Sequence, residues 1–168
     1  MLDRKIVNTV AYSIVSTRID YCNSLLYGAS VKNIQRLQKI QNTLARVVSG
    51  VKKRDHIKPV LRDLHWLPVP QRIEYKLALI TRKVLNTGQP QYLKSLMNEY
   101  KPTRQLRSEG QCLLAKPSGL SSALASRSFT RASEKIWNNL PEVLQNIENV
   151  NSLKKLPKTH LFTPVCSM

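Results

Sequence analysis

The sequence predicts an all-α fold, an irregular bundle of about five helices with a long irregular segment and a loose C-terminal tail. Two observations carry this expectation. Apolar residues recur at intervals of three and four over several long stretches, as one face of an α-helix requires. Breakers of that pattern are sparse before residue 100: the chain holds only 5 glycines, and no run alternates as a half-buried strand would.

The first helix is expected over residues 4 to 27, ending at Gly28 as a C′ glycine. Ile6, Val7, Val10 and Ile14 are assigned to its buried face. Charges before an apolar zone give this stretch the outline of a signal peptide, but Asn8, Thr9 and Ser13 interrupt the zone and no clean small-x-small cleavage site follows. The second helix is expected over 31 to 49 and ends at Gly50. Ile34, Leu37, Ile40, Leu44, Val47 and Val48 form its apolar stripe. At 100° per residue, Arg36, Lys39 and Arg46 fall on a roughly opposite arc, with Gln38 and Gln41 on the flank between. A basic loop follows, then a short helix with Pro59 at its first position, where a missing N–H costs nothing.

His65-Trp66-Leu67-Pro68-Val69-Pro70 is a corner. Pro68 and Pro70 lack N–H donors and fix their own φ, so no regular helix is expected through them, and Leu67 and Val69 are biased toward extended backbone. The helical pattern restarts over 71 to 86 with Ile73, Leu77, Ile80 and Val84 on one face. A short helix is expected from Pro90 through Tyr100, with Leu93, Leu96, Met97 and Tyr100 inward. Residues 101 to 125, rich in Pro, Gly and Ser, are expected to be an irregular connector. A last firm helix over about 126 to 140 carries Phe129, Ala132, Ile136 and Trp137 and stops at Pro141. The tail, 142 to 168, offers one short helix near Ser152 to Leu156. The expected organisation is a helical core over 1–100, a connector over 101–125, a helix over 126–141 packed back on the core, and a loosely ordered tail over 142–168. Trp66, Pro68, Pro70 and Trp137 are assigned structural roles.

Charge is the outstanding bulk property. The chain has 27 Lys plus Arg against 10 Asp plus Glu, a net +17. Such an imbalance costs self-repulsion in a compact chain and points to a polyanionic partner. Between Lys32 and Arg62 there are nine basic residues and one acidic residue, Asp55. Arg36, Lys39, Arg46, Lys52, Lys53, Arg54, Lys58 and Arg62 are therefore the candidate nucleic-acid contacts, since each cation near a phosphate releases a condensed counterion. The expected partner is RNA or DNA, bound without sequence preference. Of the tyrosines, Tyr12, Tyr21, Tyr27 and Tyr92 are available to stack on bases, while Tyr75 and Tyr100 are assigned to the core.

Other chemistries find no support. The three cysteines, Cys22, Cys112 and Cys166, are too far apart for a metal knuckle or a disulfide framework, which fits a reducing compartment. His56 and His65 lack a third ligand at suitable spacing; His65 is read as hydrogen-bonded beside Trp66. Asp3, Asp20, Asp55 and Asp63 are isolated, so no paired carboxylates serve two-metal catalysis, and neither a phosphate-binding glycine loop nor a nucleophile elbow occurs. No catalytic residue, metal or cofactor is expected. No stretch reaches the length of a membrane span, and the expected location is intracellular, nuclear or cytoplasmic.

RIDYCNSLLYG (18 to 28), RLQKIQNTLARVVSG (36 to 50), DHIKPVLRDLHWLPVPQRIEYKLALITRKVL (55 to 85), YLKSLMNEYKPTRQLRS (92 to 108), SRSFTRASEKIWNNLP (126 to 141) and KTHLF (158 to 162) resemble, in that order, the C-terminal region of LINE-type, non-LTR retrotransposon reverse transcriptases. The resemblance covers roughly 18 to 162, and its most specific parts are HWLPV-x-x-RI and WN-x-LP. It departs from the family's pattern at Ser133-Glu134, Leu153 and Pro157. The resemblance implies a thumb-proximal helical module that helps hold template RNA and target DNA. The family's catalytic aspartates and endonuclease lie upstream of this region and have no counterpart here. The chain is thus expected to be a non-catalytic C-terminal fragment with its own Met1, contacting nucleic acid, a second copy of itself or a full-length element protein. The alternative is a structural or protein-interaction remnant with no independent activity.

Overall fold

The computed structural model describes residues 3–101, 112–119 and 122–145. Among them the fold is all-α, as the periodicity predicts. The helices are α1 (Arg4–Ala11), α2 (Thr17–Asp20), α3 (Val31–Ser49), α4 (Ile57–Asp63), α5 (Val69–Thr87), α6 (Gln91–Lys94), α7 (Phe129–Asn138) and α8 (Glu142–Gln145). The chain divides into two compact units, and the boundary falls between Ile73 and Glu74, inside the span of α5.

In the first unit, the single helix expected over 4 to 27 is three pieces. Asp3 caps α1 by accepting from the Lys5 N–H. A π-helical turn, Tyr12–Ser16, follows without a break. After α2 the chain turns at Cys22, which takes a left-handed φ of 50°, into a 3-10 turn at Asn23–Leu26. The wide π turn shifts the facing of every residue after it. The buried positions are Ala11, Ser16, Ile19 and Asn23, and the half-buried Val7 packs on the core cluster that includes Ala11. Ile6, Val10 and Ile14, assigned to the buried face, are instead half or more exposed.

α3 matches its predicted bounds. Ser30 caps it by accepting from Asn33, and Gly50 closes it with a left-handed φ of 70°. Its buried face, however, is centred on Gln41, Ala45 and Val48, which rotates it roughly 60° from the predicted stripe at 100° per residue. Ile34, Leu37 and Leu44 are half-buried, while Ile40 and Val47 are 52% and 69% exposed.

The reason lies in the corner. Gln41, completely buried, donates to the Leu67 carbonyl at 2.8 Å. Gln38 accepts from the Val69 N–H at 2.8 Å and donates to Gln41 at 3.1 Å. Arg72 donates through Nε to the same Leu67 carbonyl at 2.8 Å and through a terminal nitrogen to both carboxylate oxygens of Asp20, at 2.8 and 2.7 Å. Backbone in a proline corner has no helical partners, and buried polar groups must find others; two glutamines of α3 and one arginine of α5 supply them. Asp20 is therefore ion-paired.

The corner opens with a helix C-terminus of the Schellman type. The Trp66 N–H returns to Leu61 O at 2.8 Å and the His65 N–H to Arg62 O at 2.9 Å, with His65 in the left-handed region at φ 54° where glycine is usual. The accompanying apolar contact puts Trp66 in the core cluster with Leu61, Val60, Ala45, Val48 and Ala11. Tyr12 of the π turn lies 6.4 Å from the Trp66 ring, tilted by 53°. His65 itself is exposed and, among the described residues, has no side-chain hydrogen bond, so its expected bond beside Trp66 is not found. α5 starts at Val69, two residues before its predicted start, because prolines are tolerated in a first turn, whose N–H groups have no helical partner. Pro70 is exposed there, and the half-buried Pro68 accepts from the Arg72 N–H.

In the second unit, Val84, Met97, Leu114 and Trp137 form the core. The helix predicted from Pro90 to Tyr100 is one turn, α6. Met97 is buried, but Leu96 and Tyr100 are exposed. Residues 112–117 of the connector are extended, with Leu114 bridging antiparallel to Glu99. It is fastened to α7 at three points. Trp137 Nε1 donates to Cys112 O at 2.6 Å. Asn138 both donates to Leu114 O and accepts from Leu114 N at 2.9 Å. Arg131 donates to Pro117 O at 3.1 Å. α7 starts at Phe129, after a 3-10 turn at Ala125–Arg127. The first residues of the expected tail form α8, where buried Gln145 donates to Trp137 O and Leu140 O. The short helix expected near Ser152 to Leu156, Leu153, Pro157 and KTHLF lie outside the described residues.

Candidate nucleic-acid interface

The predicted cations sit on α3, α4 and the loop between them, all within the first unit. Rotating the buried face of α3 onto Gln41 places Lys32, Arg36, Lys39 and Arg46 on an arc of roughly 80° opposite the core. From Lys32 to Arg46 that arc runs about 21 Å along the helix axis. Lys32, which charge counting alone did not assign, falls at the centre of the exposed face; a helical wheel centred on Gln41 finds it. Ile40 and Val47 border the same face beside Arg36.

Arg46 differs from its neighbours. It is half-buried, and its guanidinium donates to Asp55 O at 3.2 Å. It thereby ties the last turn of α3 to the basic loop, and its charge there suits a helix C-terminus. Asp55 is used by the same loop: its carboxylate accepts from the Lys52 N–H at 3.1 Å while its own N–H donates to Lys52 O at 3.1 Å. The one acidic residue of this stretch thus shapes the turn that displays Lys52, Lys53 and Arg54, all exposed. Lys58 and Arg62 lie one turn apart on the exposed side of α4.

Among the described residues, none of Arg36, Lys39, Lys52, Lys53, Arg54 and Arg62 forms an ion pair. The contrast is with Arg72 and Arg82, which are buried and structural: Arg72 pairs with Asp20, and Arg82 lies 5.8 Å from the Trp137 ring centroid. Sorting by burial separates cations that build the fold from cations that face water, a distinction that total charge conceals.

No protein-family model, curated protein or solved structure matches this chain.

Among the described residues no group of three or more His, Cys, Asp and Glu side chains is arranged to hold a metal, and no helix is long and apolar enough to cross a membrane. Cys22 and Cys112 are free and exposed. Tyr21 and Tyr92 are well exposed and Tyr12 less so, while Tyr75 is half-buried.

Proposed function

We propose that this chain binds RNA or DNA, without sequence preference, through the basic face of α3, the 51–56 loop and α4, and that it is a non-catalytic C-terminal part of a non-LTR retrotransposon reverse transcriptase. The observation that carries the binding is the unneutralised display of Arg36, Lys39, Lys52, Lys53, Arg54 and Arg62 on exposed positions. Counterion release makes such a face strongly attractive to a polyanion. The 21 Å arc on α3 matches about six stacked nucleotides of one strand, at roughly 3.4 Å each. The family assignment rests on the ordered resemblance from RIDYCNSLLYG to WNNLP alone.

The test replaces Arg36, Lys39, Lys53 and Arg54 by Glu and leaves Arg46 in place, because Arg46 also closes the loop. Binding to an unstructured RNA and to duplex DNA is followed across salt concentrations by anisotropy. Affinity is expected to fall steeply with salt for the parent, and the slope of log K against log salt to drop by about three to four on duplex DNA. An unchanged slope in the folded variant would sink the proposal.

A second reading, a protein-interaction module, is favoured by the exposure of Ile6, Val10 and Ile14 along one side of the first helical segments. Self-association through that side predicts a concentration-dependent mass in light scattering, abolished by Val10→Glu.

A further inference from the structure

A second cluster of charge lies in the other unit. Lys116, Arg131, Glu134 and Lys135 line an open cleft of about 330 Å³ between the extended segment 112–117 and α7. That volume falls within the range of small-ligand sites. Its walls are fixed: Arg131 holds Pro117 O, Asn138 clasps both backbone groups of Leu114, and Trp137 holds Cys112 O. Arg131 and Lys135 are one turn apart on α7, so their heads share a face, and Lys116 approaches from the other wall. Glu134 is engaged by Asn138 at 3.2 Å. Among the described residues it pairs with none of the three cations. Arg131 commits one terminal nitrogen to Pro117 and has further donors in its planar fork, the geometry that oxyanions favour.

We infer that this cleft is an oxyanion site that takes a phosphate group, with Arg131 as the directional donor and Lys116 and Lys135 as flanking charges. It goes beyond the α3–α4 interface, because it lies in the second unit and needs none of that interface's residues. The phosphate can belong to a small phosphorylated molecule or to a polynucleotide, and the two are separable by experiment.

The full chain, labelled with 15N, is titrated with inorganic pyrophosphate and, separately, with an unstructured RNA lacking a terminal phosphate. The shifts read are the amides of Arg131 to Lys135. Pyrophosphate is taken to about 10 mM, beyond the millimolar affinity that a small ligand of about 4 kcal/mol reaches. Saturable shifts with pyrophosphate identify a small-molecule phosphate site; saturable shifts with RNA alone identify a polynucleotide contact. Either supports the site if Lys116→Glu with Lys135→Glu, both exposed positions, weakens binding about tenfold or more. Glu134→Gln, which keeps the acceptor for Asn138 and removes the opposing charge, is expected to tighten it about threefold. The Arg36, Lys39, Lys53 and Arg54 variant must leave the pyrophosphate shifts unchanged, so failure of the α3–α4 interface and failure of this cleft are told apart. Absence of saturable shifts with both probes overturns the inference, as does binding that survives the lysine reversals.

Discussion

The Leu67 carbonyl sets a test of how the corner is held. It accepts from two side chains, Gln41 and Arg72. Gln41→Leu removes one donor and the Gln38–Gln41 bond. Leu67 O keeps Arg72, and Gln38 keeps Asn42 at 2.8 Å. With no buried group orphaned, the loss is that of ordinary net hydrogen bonds, about 1–2 kcal/mol. Arg72→Met removes the other donor and the Asp20 pair. Because the Asp20 side chain is 37% exposed, that pair is discounted for solvent screening, and the loss is again about 1–2 kcal/mol. The double variant is different in kind. Leu67 O then has neither donor in an interior that water does not reach, and it bears the desolvation cost of an unmade bond, about 1–3 kcal/mol beyond the sum of the singles. Urea unfolding followed by the Trp66 indole proton reports the first unit, since Trp66 lies in its core. The slope with urea is expected to stay constant while the midpoint falls. Additivity of the two variants to within about 0.5 kcal/mol would refute the shared-acceptor account.

Other perturbations follow from the same accounting. His65→Gly relieves a left-handed backbone (φ 54°) at a position where the side chain makes no hydrogen bond, so it is expected to raise the unfolding free energy by about 1 kcal/mol, read as a higher urea midpoint at constant slope; destabilisation would give the imidazole a role the corner does not show. Asn138→Ala leaves both backbone groups of buried Leu114 without their partner and is expected to cost at least about 2 kcal/mol, with the Leu114 amide losing hydrogen-exchange protection. Glu74 as a residue is exposed, yet enough protein surrounds its carboxyl that desolvation raises its pKa above the ordinary 4.5, with Lys135 opposing. The folded state then holds this proton more tightly than the unfolded state. Stability from Glu74 is therefore full below pH 4.5 and is lost as pH rises through the folded value. Glu74→Gln is expected to stabilise at pH 7 and to lose that advantage in acid, and thermal unfolding at the two pH values measures it.

Legibility of the sequence varied with the physics involved. α3 was readable to the residue because its ends carry their own signals, Ser30 as cap and Gly50 as left-handed terminator. The inner face of α5, Ile73, Leu77 and Val84, was readable because apolar burial is periodic. The facing of α3 was not, because hydropathy ranks glutamine as a surface residue, while a proline corner 26 residues away needs that glutamine in the core. The long first helix failed for a local reason: a π turn and a left-handed Cys22 have no apolar signature. Asp20 and Arg72, 52 residues apart, could not be joined from one sequence. For the basic face, residue types and positions were legible, but not their division into exposed cations and the half-buried loop clasp of Arg46.

That division separates fold from binding. The two most distinctive stretches, HWLPVPQRI and WNNLP, are occupied by structural work: Trp66 and Trp137 fill cores, Leu67 and Val69 are held by α3, Arg72 pairs with Asp20, and Asn138 clasps Leu114. None of the exposed cations from Arg36 to Arg54 takes part in those contacts. A chain that kept both stretches but lost the cations would keep this architecture and lose the face proposed to bind a polyanion. A chain that kept the cations but lost Gln41 or Arg72 would weaken the corner on which α3 is oriented. Charge reversal on α3 and disruption at the corner are thus expected to act on different observables, the salt slope of binding for one and the unfolding midpoint for the other. A charge-reversed face that unfolded the first unit would mean that these cations had structural partners after all.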